Sequence, residues 1–131
     1  MIEWILQLEI QSPNVKEHWG KIHARNKKNR RLITYEWMMI DHKPIAPCTV
    51  QLQRLYNPSK KQKPYDVEEN LRMAFKGIKD IIADILIPGM APGQADEGHG
   101  IAWKYDQLTA MRSGVRIIIM TQEEIEEEKN G

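Results

Sequence analysis

The stretch LRMAFKGIKDIIADIL, residues 71–86, decides the fold class. Its apolar residues Leu71, Ala74, Phe75, Ile78, Ile81, Ile82, Ile85 and Leu86 recur every three or four positions, the stripe a helix turns toward a core. Pro88-Gly89 ends the pattern, and Arg72, Lys76 and Lys79 form a basic line on another side. Upstream, Thr49 to Tyr56 sets Val50 and Leu52 on one face and Gln51 and Gln53 on the other, the period of a strand. Downstream, Ile101 to Gln107 alternates Ile, Trp and Tyr, and Val115 to Met120 is expected to form a hairpin with it across a loop holding Ser113-Gly114. Near the start, Ile2, Trp4, Leu6, Leu8 and Ile10 alternate as a further half-buried strand. Strands on both sides of helices make this an α+β fold, with a small mixed β-sheet packed with two main helices.

The second main helix is less settled. From Val15 to Ile40, Trp19, Ile22, Ile33, Trp37 and Ile40 fall at helical spacings among strongly basic residues, as one helix or as two with a break near Asn29. Ile33 to Trp37 is β-prone in isolation, so a strand over 32–41 is the alternative. Asn57 to Pro64, with three lysines, reads as an exposed loop, and Ile87 to Gly100 as a Gly/Pro/Ala-rich one. One domain over 1–121 is expected, followed by an acidic flexible tail over 122–131.

With 41% hydrophobic and 28% charged residues, the chain has the balance of a soluble globular protein. No apolar run approaches the ~18 residues of a membrane span, and Met1-Ile2-Glu3-Trp4 does not open a secretion signal, so a cytoplasmic protein with no membrane partner is expected. The lone Cys48, between apolar neighbours, reads as a small buried side chain rather than a nucleophile. His18, His23, His42 and His99 have no zinc spacing, and there is no Gly-rich phosphate loop or Ser nucleophile motif.

Charge is unevenly placed. Residues 1–63 hold 12 Lys and Arg against five Asp and Glu, whereas 64–131 hold seven against 13. A basic half suits phosphates, and an acidic half suits a divalent cation. The competing explanation is an acidic tail, because Glu123 to Glu128 supply five of those 13 acids.

Two acidic clusters could converge on one ion. Asp66-Val67-Glu68-Glu69-Asn70 precedes the best helix, and Asp96-Glu97 precedes a strand. Hard ions such as Mg²⁺ take carboxylate oxygens together with waters and substrate phosphate. On spacing alone, Asp66-x-x-Glu69 is equally a capping box, and Asp96-Glu97 a solvated loop.

The ordered series of motifs is more specific. Cys48-Thr49-Val50-Gln51-Leu52-Gln53-Arg54-Leu55, Glu69-Asn70-Leu71, Ala74-Phe75-Lys76, Ile78-Lys79-Asp80, Ala83-Asp84, Asp96-Glu97-Gly98 and Trp103-Lys104-Tyr105-Asp106-Gln107 resemble the RusA family of Holliday-junction resolvases. Asn14-Val15-Lys16-Glu17-His18-Trp19 before a basic helix is similar to phage-type members. The resemblance runs from Ile2 to Met120. It implies a RusA-like homodimer that nicks four-way or other branched DNA symmetrically, with Mg²⁺, or Mn²⁺ in its place, as cofactor. Catalytic residues would be Asp66, Glu69, Asp96, Glu97 and Lys76, and metal ligands Asp66, Glu68, Glu69, Asp96 and Glu97.

The pattern departs from the family at one position. Val67 stands where an acid is expected, leaving Asp66 and Glu68 as alternatives for that ligand, and Glu replaces a common Asp at several matched positions. A junction-binding protein with an impaired site is therefore the alternative function. Lys76 would neutralise charge developing on the scissile phosphate, or else belong to a solvated helix face. Asn70, Arg72 and Lys79 would contact DNA, as would His23, Arg25, Lys27, Lys28, Arg30 and Arg31 together with Lys60, Lys61 and Lys63.

Overall fold

Val50 and Leu52 are fully buried, and the strand that carries them, β2 (Cys48–Tyr56), has a neighbour on each side. In the computed structural model, which describes residues 1–13, 15–66, 69–89 and 100–130, four strands form one sheet. With β1 (Ile2–Leu6), β3 (Ile101–Thr109) and β4 (Gly114–Thr121), the order is β1-β4-β2-β3. β4 pairs antiparallel with both β1 and β2, and β3 pairs parallel with β2. The sheet is mixed and the class is α+β.

The expected hairpin of the last two strands does not form. The chain reverses after Thr109 as the Ser113-Gly114 turn signal requires, but β2 lies between the two strands. Polar burial accounts for the order. Gln53 and Arg54 are both buried, and their groups are satisfied from neighbouring strands: Gln53 bonds Asp106 of β3 and Arg116 of β4, and Arg54 reaches Gln107 of β3. An edge position would leave half of these partners missing.

Two crossovers build the helical layer. α1 (Trp19–Met38) joins β1 to β2, and α2 (Asn70–Ala74) with α3 (Lys76–Leu86) joins β2 to β3. Both step in the same direction across the sheet, so right-handed connections place both on one face. Ile33, Leu71, Phe75, Ile78 and Ile82 from that layer close the core over Trp4, Val50, Leu52, Ile117 and Ile119. Each fully buried aliphatic contributes about 2 kcal/mol. The apolar stripe of residues 71–86 faces this core as expected, but at Phe75 the helix divides in two.

The basic segment is one unbroken helix from Trp19 to Met38, with no break at Asn29 and no strand beyond residue 32. His18 Nδ1 accepts from the Gly20 amide at its start. Of its 20 residues only Asn29 and Ile33 are buried. Asn29 anchors the helix to the chain leaving β1: its Oδ1 accepts from the Glu9 amide at 3.0 Å, and its Nδ2 donates to the Glu9 carbonyl at 2.8 Å. β1 is also shorter than its alternation, ending at Leu6, although Leu8 still enters the core.

The acidic tail is a helix as well. α4 (Gln122–Asn130) continues directly from β4 through a reciprocal capping box. The Thr121 amide and hydroxyl bond the Glu124 carboxylate, and the Glu124 amide donates to Thr121 Oγ1. Glu124 also pairs with the Met1 amino group. No helix among the described residues is long and apolar enough to cross a membrane.

Two predictions follow from these anchors. Asn29→Ala removes both bonds and leaves the Glu9 peptide unpaired, so the urea midpoint should fall by the equivalent of about 2 kcal/mol. The second concerns acid. The Met1 amino group above all holds the Glu124 carboxyl below its ordinary value of 4.5; burial pushes it up, and the amide and hydroxyl of Thr121 add smaller downward pulls. A depressed carboxyl stabilises fully above 4.5 and loses that contribution as pH falls through its lower folded value. The stability difference between wild type and Glu124→Gln, measured by urea unfolding, should be present at neutral pH and vanish well below pH 4.5.

Candidate active site and nucleic-acid surface

The acids before α2 are positioned by two polar side chains of the sheet. Gln107, on β3, clamps the backbone of Tyr65: its Oε1 accepts from the Tyr65 amide at 2.9 Å, and its Nε2 donates to the Tyr65 carbonyl at 2.6 Å. Arg54, on β2, is buried and donates to the Lys63 carbonyl at 2.7 Å. Its guanidinium lies 3.7 Å from the centre of the Tyr65 ring and 5.0 Å from that of Tyr56. A cation without a carboxylate partner among these contacts is thus satisfied by a carbonyl, an amide oxygen and two π faces.

From this clamp the chain enters α2 with Asp66 and Glu69 exposed. The Asp66 carbonyl accepts from the Leu71 amide at 2.8 Å, and the Glu69 carbonyl from the Met73 amide at 3.0 Å. The residue at the N-cap of α2 is Glu69, not Asp66 as a capping box beginning at Asp66 would have it. Glu69 holds that position and makes no side-chain capping bond, so its carboxylate is not engaged by the helix end. Glu68 and Val67, with Asp96, Glu97 and His99, lie outside the described residues. Among the described residues no three Asp, Glu, His or Cys side chains gather as a metal site.

The basic line of the central helices separates into two sides. Arg72 lies over the Tyr105 ring at 5.5 Å and Lys79 over Trp103 at 5.5 Å, both on the β3 side. Lys76 instead pairs with Asp80 at 3.7 Å, in a cavity of about 390 Å³ also lined by Glu17, Arg25, Asn26 and Gly77. Lys76 and the Arg72–Lys79 pair therefore do not converge. Asn70 opens α2, half-buried.

Ion pairing also divides the cations of α1. Arg25 bonds Glu17 at 2.6 Å and holds that carboxyl below the usual range, Lys28 bonds Glu9 at 2.6 Å, and Arg30 reaches Asp84 at 3.4 Å. These three tie the helix to the preceding loop and to α3. His23, Lys27 and Arg31 are exposed, and among the described residues Lys27 and Arg31 have no acidic partner. Lys60, Lys61 and Lys63 are exposed around a single 3₁₀ turn, Pro58–Lys60, where Lys61 takes a left-handed φ of 61°. Lys61 and Lys63 line one side of the Leu8–Gln11 segment, and Lys21 and Lys28 line the other.

Sequence reasoning missed Arg54 and Gln107, because nothing local marks a strand Gln as a clamp. It also assigned Trp19 to an apolar stripe, whereas the side chain is 73% exposed. Cys48 is buried as expected, and burial pushes its thiol up, which suits packing and not nucleophilic attack.

Compared with models of protein families, with curated proteins and with solved structures, the chain matches none.

The clamp is directly testable. Gln107→Ala should leave the fold intact at a cost of about 2 kcal/mol and accelerate hydrogen exchange at the Tyr65 amide far more than at β2 amides.

Proposed function

We propose that the chain is a RusA-like, Mg²⁺-dependent endonuclease selective for branched DNA, acting as a homodimer. The observation that carries the reading is the double clamp on Tyr65, which fixes the backbone leading to the exposed Asp66 and Glu69. Preorganised carboxylates on a rigid support are what phosphodiester hydrolysis needs. The motif series around them supports it further, as do Lys27 and Arg31 of α1, which have no acidic partner among the described residues.

Asp66 and Glu69 offer hard oxygen donors, the right chemistry for Mg²⁺ or Mn²⁺, and Glu68, Asp96 and Glu97 would complete the set. When bound, such an ion polarises the scissile phosphate and makes a water more acidic. The chain's own part is to hold the carboxylates still and to set Arg72 and Lys79 beside the strand that carries Trp103 and Tyr105, where they can bind and orient a phosphate. Lys76 stands apart from that pair, so its expected role on the scissile phosphate is less well supported than theirs. Asp66 follows Tyr65, which Gln107 holds, whereas Asp96 and Glu97 precede Ile101 in sequence, and Ile101 and Gln107 are about 20 Å apart along β3. A shared ion thus requires the loop before β3 to return alongside the strand.

Val67 favours the second reading, junction binding without cleavage. A labelled four-way junction separates the two. Wild type with Mg²⁺ should nick it, and Asp66→Asn or Glu69→Gln should lower the rate at least 100-fold while leaving binding in EDTA unchanged. Wild type that binds the junction but leaves it whole overturns the nuclease reading, and if Val67→Asp then cleaves, the site is an impaired one.

A further inference from the structure

A ladder of side chains spaced by four residues winds obliquely across the solvent side of α1: Trp19, His23, Lys27, Arg31 and Tyr35. All five are exposed, Trp19 by 73% and Tyr35 by 61%. Each step of four residues rises about 6 Å and turns about 40° around the axis, so the ladder is roughly 24 Å long and winds about 160° around the helix from Trp19 to Tyr35. Trp19 and His23 are stacked, with ring centres 5.2 Å apart and planes 13° from parallel. Among the described residues Lys27 and Arg31, between the aromatic ends, lack acidic partners such as those that occupy Arg25, Lys28 and Arg30.

A helix that only packed against the core would not look like this. Six Lys and Arg stand against one Glu in α1, and Trp19 and Tyr35, at the two ends of the ladder, are both largely exposed. A solvated helix face gains nothing from a large exposed indole, and a lysine such as Lys27 between the aromatics is a residue that protein-docking faces deplete. Aromatic platforms alternating with cations are what an unpaired nucleic-acid strand requires. Its bases stack on rings and its phosphates follow the charges.

We infer that this ladder is a track for single-stranded DNA, in which Trp19–His23 and Tyr35 stack bases and Lys27 and Arg31 hold the intervening phosphates. The inference deepens the branched-DNA reading, because it gives α1 the unpaired nucleotides at a branch rather than the duplex arms. The track does not use Asp66, Glu69 or any metal.

The test is anisotropy with fluorescein-labelled oligo-dT of about 12 nucleotides, in EDTA. Trp19→Ala and Tyr35→Ala should each weaken binding about 10-fold, and Trp19→Phe should retain most of it. Lys27→Ala/Arg31→Ala should reduce the slope of log affinity against log salt by about 1.4, whereas Lys104→Ala, an exposed lysine on the sheet, should change nothing. Because the ladder is exposed, all variants should keep the wild-type urea midpoint, so a loss of binding is not a loss of fold. Unchanged affinity in both Trp19→Ala and Tyr35→Ala overturns the track. So does a wild type that ignores the oligonucleotide and self-associates through Trp19 and Tyr35, as seen by sedimentation of wild type against the alanine variants. Junction nicking with Mg²⁺ is read separately: nicking without a Trp19 effect removes only the track, and Trp19-dependent binding without nicking removes only the nuclease.

Discussion

A guanidinium is rarely buried without a carboxylate, yet Arg54 is 7% exposed, lying against two tyrosine rings and donating to the carbonyl of Lys63. Desolvating that charge would be costly unless every contact were made together. Tyr65 must therefore stay over the guanidinium, and Gln107 makes sure of it by occupying both backbone groups of Tyr65. Lys63 and Tyr65, at the end of the loop from Asn57, are thereby held against the sheet. Placement of Leu71 and Phe75 in the core follows, and Asp66 and Glu69 emerge at its rim. One buried cation thus links the interior of the sheet to the acids outside it.

Ion pairs do comparable work for α1 on the surface. Exposed pairs contribute little to stability individually. Their significance lies in selection: Glu9, Glu17 and Asp84, from different parts of the chain, neutralise three of the six cations and so define which remain for a ligand. The charge excess counted over the whole half of the chain overstates the surface available to phosphate, and the pairing pattern corrects it.

Much of the fold was legible because burial imposes period. The stripe over 71–86, the alternation in β2 and β3 and the start of β1 all mark residues that meet the core. Strand order was not legible, since the turn near Gly114 dictates that the chain reverses, not which strand it then joins. The pairing was set by Gln53 and Arg54, whose needs involve residues more than 50 positions away. At the tail, composition misled: five glutamates suggested an unstructured end, whereas Thr121 and Glu124 cap a helix. For the site, the acidic clusters could be found from sequence, but Gln107 could not, because its role depends on a backbone that reaches it only after folding. Trp19 was misplaced for the opposite reason. Helical spacing fixes which residues share a face and does not say whether that face meets the core or water.

The strand order has a temporal consequence. Ile2 pairs with Ile119, and β4 is the strand that joins β1 to β2. During synthesis, β1 leaves the ribosome first and waits for the last strand before it has any sheet neighbour. β2, the crossover helices and β3 can assemble earlier as a parallel unit, but with one flank of β2 open. Until residues 114–121 arrive, the nascent chain presents a bare edge of β2, and the insertion of β4 both closes that edge and captures β1.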